Sequence, residues 1–240
     1  NSRLCNPHTN LYPLALIYYL PLLLKLYVVM LITSVYTGNP LLDDIIENAR
    51  CILFQGVAGA GKTTLLLTIA GNLCSKYPCV YISTEETVHY ERVARDPDRY
   101  EKALFTEAYD LDTLLKVAIT IPFIKPKYIF VDSINALYRL EAGRESTQAK
   151  QALITSILLE TVERENGKFF ASAQVRAGES GDVVASGLSM LEFYFDLIFE
   201  VSPEGPQLRS IRLYKSIRPL RVEKLYFSIR EHGVEWRVYV

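Results

Sequence analysis

Cysteine, histidine, methionine and tryptophan are all scarce in this chain of 240 residues, at four, three, two and one. The four thiols (Cys5, Cys51, Cys74, Cys79) are scattered. Only Cys74 and Cys79 lie close, and no second pair or histidine group completes a metal site, which excludes a disulfide scaffold and a zinc finger. Free thiols belong to a reducing compartment, so the expected location is cytoplasmic. A charge excess of either sign is missing as well: 26 Lys plus Arg stand against 27 Asp plus Glu. No global field draws such a chain to nucleic acid, and any contact of that kind must come from a local patch. Half of the residues are apolar and 22% are charged, which suits one large domain with a buried core.

What the chain has in excess comes early. Residues 11–36 read LYPLALIYYLPLLLKLYVVMLITSVY, long enough to cross a bilayer. Pro13, Pro21 and Lys25 interrupt the run, and a Lys at the centre of a span costs about 3 kcal/mol. A single Arg ahead of it and no small-residue cleavage site after it argue against a secretory leader. Met30 stands just before LITSVYTGNPLLDDII, so residues 1–29 are read as an apolar extension outside a functional domain at 30–240. A membrane anchor within 11–36 and a packed or oligomer-contact segment stay open.

Residues 56–63 read GVAGAGKT, a complete G-x-x-x-x-G-K-[ST] loop. Gly56, Gly59 and Gly61 allow a tight curl in which the amides from Val57, Ala58 and Ala60 onward point at phosphate oxygens. Lys62 supplies a positive charge for the β/γ-phosphates, and Thr63 a hydroxyl for Mg²⁺. CILFQ before the loop suits a buried strand, and TTLLLTIAGNLCSKY, from Thr63 and Thr64 onward, reads as a helix. Phosphates would then sit at a helix N-terminus, where free amides and the dipole favour anions. The expected ligands are ATP and Mg²⁺.

Beyond the loop, strands and helices alternate as in a parallel sheet. Apolar runs at 79–83, 104–109, 127–133 and 168–174 are the strands. Residues 110–124 and 146–166 carry apolar residues at helical spacing, with Asp110 or Asp112 as N-cap of the first. A final group of strands, in FDLIFEVS, LRSIRLYKS and RVEKLYFSIRE, reads as antiparallel hairpins. The fold class is therefore α/β, a P-loop domain with a mostly parallel sheet, flanking helices and C-terminal antiparallel strands.

Two acids stand where ligand residues gather in open α/β sheets, at strand C-terminal ends. Asp132 closes KYIFVDS and suits the second acid that orders Mg²⁺. Glu85 follows CVYIS and can orient water for in-line attack on a γ-phosphate. Glu86 competes for that role, and either acid also suits the start of a solvated helix.

Together these motifs resemble the RecA/RadA recombinase core over residues 31–240. VYISTEETVHYERV resembles its strand with the water-activating glutamate, which implies that role for Glu85. IFVDSINALYRLEAGRESTQAKQ resembles its acidic strand, Arg-Gly turn and following helix. FFASAQV resembles the strand ending in a Gln that senses the γ-phosphate, which implies Gln174. Within the superfamily the chain looks most like a core-only archaeal RadA paralogue, on the RadB/KaiC-like side. The resemblance implies a catalytic set of Glu85, Lys62 and Gln174, with single-stranded DNA, a RadA-type recombinase and a homo-oligomer as partners.

Departures from the family pattern limit that reading. Residues 1–30 supply neither a helix-hairpin-helix domain nor an F-x-x-A polymerisation linker. FTEA and FASA match that motif only by letter, on core strands. The DNA-loop counterpart, VRAGESGDVVASGLSM, offers Arg176, Gly178 and Gly181 but also Glu179 and Asp182, and no aromatic to stack on a base. Positive charge recurs later, at Arg209, Arg212, Lys215, Arg218, Arg221 and Lys224. A period of three alternates faces on a strand, so these suit hairpin-edge charges as well as a nucleic-acid patch. LYKSIR also resembles the strand that sends a cation into a neighbouring subunit's nucleotide, making Lys215 and Arg218 candidate trans-acting fingers.

Overall fold

The computed structural model describes residues 35–85, 90–141, 145–177, 183–185, 187–220 and 223–237. The extension at 1–29 lies outside the described residues, as do Glu86, Gly178, Gly181 and Arg221. Among the described residues no helix is long and apolar enough to cross a membrane.

The chain forms β1 (Cys51–Gly56), β2 (Cys79–Ser83), β3 (Ala103–Glu107), β4 (Tyr128–Asp132), β5 (Lys168–Ala177), β6 (Val183–Ala185), β7 (Leu197–Pro203), β8 (Leu208–Ser216), β9 (Leu225–Arg230) and β10 (Gly233–Trp236). Their order across the sheet is β10-β9-β8-β7-β1-β5-β4-β2-β3, with β6 paired to β5. From β7 to β3 every pairing is parallel. From β7 to β10 every pairing is antiparallel, as the hairpin pattern predicts.

Strands β1, β2 and β4 are buried along their whole length, which is why they read as continuous apolar runs rather than as alternating ones. Their side chains still divide by parity. Ile52, Phe54, Tyr81, Phe130 and Phe170 enter the core on one face. Leu53, Val80, Ile82, Ile129, Val131 and Phe169 enter the core on the other. On the first face, Phe105, Tyr81, Phe130 and Phe170 form an aromatic row across four strands, with centroids 5.4, 5.7 and 5.3 Å apart. Parallel register sets it, since Tyr81 opposes both Phe105 and Phe130, and Phe130 opposes Phe170.

Helices α1 (Pro40–Glu47) and α2 (Lys62–Leu73) cover the first face. The short α3 (Tyr90–Arg95) follows β2. Helices α4 (Leu111–Ile124) and α6 (Glu145–Arg164) cover the second face, α5 (Ala136–Leu140) follows β4, and α7 (Leu188–Tyr194) precedes β7. Of the two N-cap candidates for α4 it is Asp110 that caps, accepting from the Thr113 amide at 2.7 Å. Asn39 caps α1 ahead of Pro40, accepting from Leu41 and Leu42.

Two of the boundaries that differ from the sequence reading lie at the C-terminal edge of the strands. β3 stops at Glu107, because Ala108 already turns its amide to the Ser83 carbonyl. β5 runs to Ala177, three residues past Gln174, because β6 pairs with it from Val175 to Ala177. A Gly/Ser-rich stretch hides that hairpin, since its strand residues carry no long apolar run.

Candidate active site

The loop between β1 and α2 has the backbone its glycines predict at two positions. Gly59 and Gly61 take φ of +74° and +100°, a region that suits glycine. Gly56 serves a different purpose: a Cβ there would lie 2.2 Å from the Val201 carbonyl oxygen on β7. Its hydrogen allows close strand packing rather than a turn. Lys62 is buried and its ammonium donates to the Gly56 and Val57 carbonyls, both at 2.8 Å. Burial holds the ammonium below its ordinary pKa, while the Asp132 and Glu85 carboxylates pull the other way. Thr63 is exposed at the first turn of α2 and Thr64 is buried behind it.

Thr63, Thr64, Lys62, Glu85, Asp132 and Gln174 all line one cleft of about 330 Å³, together with Ala58, Gly59 and Gly61. Parallel strands explain this convergence, because β1, β2, β4 and β5 all end on one edge of the sheet.

Both oxygens of Asp132 are held. Ser172 Oγ donates to Oδ1 at 2.5 Å and Tyr81 OH donates to Oδ2 at 3.1 Å. Burial and the nearby Asp132 charge raise the Tyr81 pKa, so the phenol keeps its proton and remains a donor. Asp132 and the Thr63 hydroxyl are hard oxygen donors on one cleft, the chemistry Mg²⁺ selects. That ion takes one or two carboxylates and completes its shell with water and phosphate. These residues fit it: they would hold the ion where it offsets phosphate charge.

Glu85 is exposed to the cleft, and its Oε1 accepts from Ser133 Oγ at 3.2 Å. Thr84 fixes the backbone beside it, since its hydroxyl donates to the Ser133 carbonyl at 2.6 Å and accepts from the Ser133 amide at 2.8 Å. Gln174 is held by two residues after β4. Asn135 accepts from the Gln174 amide at 3.0 Å and donates to its carbonyl at 2.9 Å. Arg139 Nη1 donates to Gln174 Oε1 at 2.6 Å.

Sequence motifs missed Asn135 and Arg139. Their four-residue spacing places both on one side of the turn and helix after Asp132, and that was the available signal. Arg92 of α3 was also missed. It lines the cleft and donates to Thr64 Oγ1 at 2.6 Å. Nothing local marks it, because the approach of α3 to α2 is tertiary.

Lys215 and Arg218 do not line this cleft. Lys215 Nζ donates to the carbonyls of Glu192 (2.5 Å) and Phe195 (2.7 Å) at the end of α7, where a cation also complements the helix dipole. Arg218 is exposed. Other members of the basic row meet acids of their own chain: Arg212 pairs with Glu200 at 2.7 Å and Lys224 with Glu204 at 2.5 Å. The backbone of Arg176 lies on β5 opposite Val184.

A phosphate loop joined to strand-end acids at the edge of a parallel sheet defines a P-loop ATPase domain. Residues 52–181 match the model of the ATPase family associated with various cellular activities, and the chain belongs to that family. It is also distantly similar to bacterial proteins named DNA repair protein RadA. The protein of Listeria monocytogenes is 24% identical over 186 residues, 75% of this chain and 38% of that protein. One from Streptococcus pyogenes is 24% identical over 192 residues, 78% of this chain and 40% of that protein. That of Aquifex aeolicus is 26% identical over 190 residues, 76% of this chain and 40% of that protein. The chain thus spans about two fifths of the length of the curated relatives it matches.

Proposed function

We propose that the chain hydrolyses ATP in the cleft at the C-terminal strand edge and works in DNA recombination and repair, as an accessory relative of RadA-type recombinases. The observation that carries the reading is the convergence of Lys62, Thr63, Glu85, Asp132 and Gln174 on one cleft. Lys62 binds the β/γ-phosphates, Thr63 and Asp132 hold Mg²⁺, and Gln174 contacts the terminal phosphate. Glu85 accepts a proton from the attacking water and orients it in line with the leaving oxygen. Arg92, which lines the same cleft, contributes a further cation for the nucleotide.

Arg218 is the freer of the two proposed trans fingers, because Lys215 is engaged within its own chain. A finger acting in trans requires a homo-oligomer with head-to-tail contacts. The thiols of Cys51, Cys74 and Cys79 are free and buried, in keeping with a reducing, cytoplasmic setting. DNA contact rests on the resemblance to RadA, which implies Arg176, Gly178 and Gly181 for that role; Arg176 lies on β5.

A KaiC-like regulatory ATPase, working through protein contacts without DNA, is the second reading. It is favoured by the ion pairs of Arg212 and Lys224 with Glu200 and Glu204, which occupy part of the basic row. Turnover and filter binding with and without single-stranded DNA, across a salt series, decide between them. DNA-stimulated turnover and a steep salt dependence are expected for the first reading. Turnover indifferent to DNA at every salt concentration overturns it.

A further inference from the structure

Gln174 lines the cleft, whereas Arg139 stands outside that lining and reaches the same side chain at 2.6 Å. A carboxamide has an acceptor end and a donor end, and a guanidinium only donates. The contact to Arg139 therefore decides which end of the amide is used up. The oxygen is held, and the N–H₂ group is left for another partner. Phosphate oxygens accept hydrogen bonds, so only the N–H₂ end is useful against a terminal phosphate.

The backbone of Gln174 has little freedom of its own, because Asn135 holds both its amide and its carbonyl. Side-chain rotation is what remains, and Arg139 restrains it. An ion pair does not explain the position of Arg139, since its salt bridges are absent among the described residues and its Nε is buried without a partner there.

We propose that Arg139 is a positioning residue for Gln174: it holds the amide oxygen so that the amide N–H₂ faces the terminal phosphate of a bound nucleotide. The inference rests on the reading of the cleft as an ATP site. Without Arg139 the amide is free to rotate, and its oxygen, facing a phosphate, repels it.

The test measures affinity for a non-hydrolysable ATP analogue and for ADP, together with ATP turnover, in the full chain. The variants are Arg139→Ala, Gln174→Ala and the double variant. Arg139→Ala is expected to weaken the ATP analogue about tenfold, the loss that one hydrogen bond to a charged group carries, while ADP affinity stays unchanged. In the Gln174→Ala background, removing Arg139 is expected to change nothing further. Gln174→Glu keeps the partner of Arg139 but has no N–H₂ donor, and should show the same selective loss in a chain whose fold is intact.

Equal losses for ADP and the analogue overturn the inference, as does an undiminished effect of Arg139→Ala when Gln174 is already alanine. A wild-type chain that binds neither nucleotide overturns the ATP-site reading and this inference with it. That result is distinguishable because it appears before any substitution is made.

Discussion

Tyr81 donates its phenol proton to Asp132 Oδ2 across two adjacent parallel strands, at 3.1 Å. The ring belongs to the aromatic row at the core, and its hydroxyl reaches the edge where the cleft lies. Packing of the sheet therefore aims the carboxylate. Tyr81→Phe keeps the row and removes one donor from a buried charged acceptor, which costs about 1–3 kcal/mol. Urea unfolding should show that loss, and the Mg²⁺ concentration needed for half-maximal turnover should rise. An unchanged Mg²⁺ requirement would detach Tyr81 from the metal-binding role proposed for Asp132.

Glu85→Gln preserves shape and hydrogen bonding but removes the proposed base. Nucleotide affinity is expected to persist while turnover falls about 10²–10⁴-fold, the range of general-base contributions. Lys62→Ala should lose both binding and turnover, because it removes the cation proposed to meet the phosphates. Comparable hydrolysis by Glu85→Gln and wild type would move the role to another acid.

If Arg218 acts on a neighbour's nucleotide, Arg218→Ala and Glu85→Gln damage opposite halves of a shared site. Each variant alone should be nearly inactive. Mixing them should restore part of the turnover, because some interfaces then join an intact Arg218 to an intact Glu85. Strict additivity in the mixture argues against a finger in trans.

Asp43 is a buried carboxylate that accepts from both the amide and the hydroxyl of Thr37 at 2.7 Å. Burial raises its pKa above the ordinary 3.8 in spite of those donors. A raised native pKa gives stabilisation that is complete below the unfolded value and is lost as pH rises through the native one. The stability difference between Asp43→Asn and wild type should therefore move in favour of the variant as pH rises from below 3.8 to neutral. Denaturation midpoints across that range check it, and a flat difference counts against the linkage.

Gly56→Ala places a methyl 2.2 Å from the Val201 carbonyl oxygen. Strand β7 must shift to admit it, at a cost of about 1–3 kcal/mol by the usual scale of overpacking. Gly59→Ala has open space around its Cβ but keeps the strain of a φ of +74°. Thermal unfolding should rank Gly56→Ala as the more damaging of the two. The reverse order would place the role of Gly56 in the loop rather than in the sheet.

The phosphate loop, the strand-end acids and the alternation of strand and helix were all legible in the linear sequence. Each is a contiguous pattern whose chemistry depends on spacing within a few residues: glycines for the loop, an apolar run ending in Asp132, another followed by Glu85. What holds those groups was not legible. Ser172 and Tyr81 reach Asp132 from 40 and 51 residues away, and Asn135 and Arg139 reach Gln174 from 39 and 35. Parallel pairing brings them within hydrogen-bond distance, and no local pattern encodes that pairing. The closing hairpin of β5 and the occupation of Lys215 by two carbonyls are likewise products of packing. The sequence by itself determined the phosphate loop and the two strand-end acids, because residue type and short spacing suffice for those. Only the tertiary structure decided how each group is oriented and which charges remain free, because both depend on neighbours supplied by the register of the sheet.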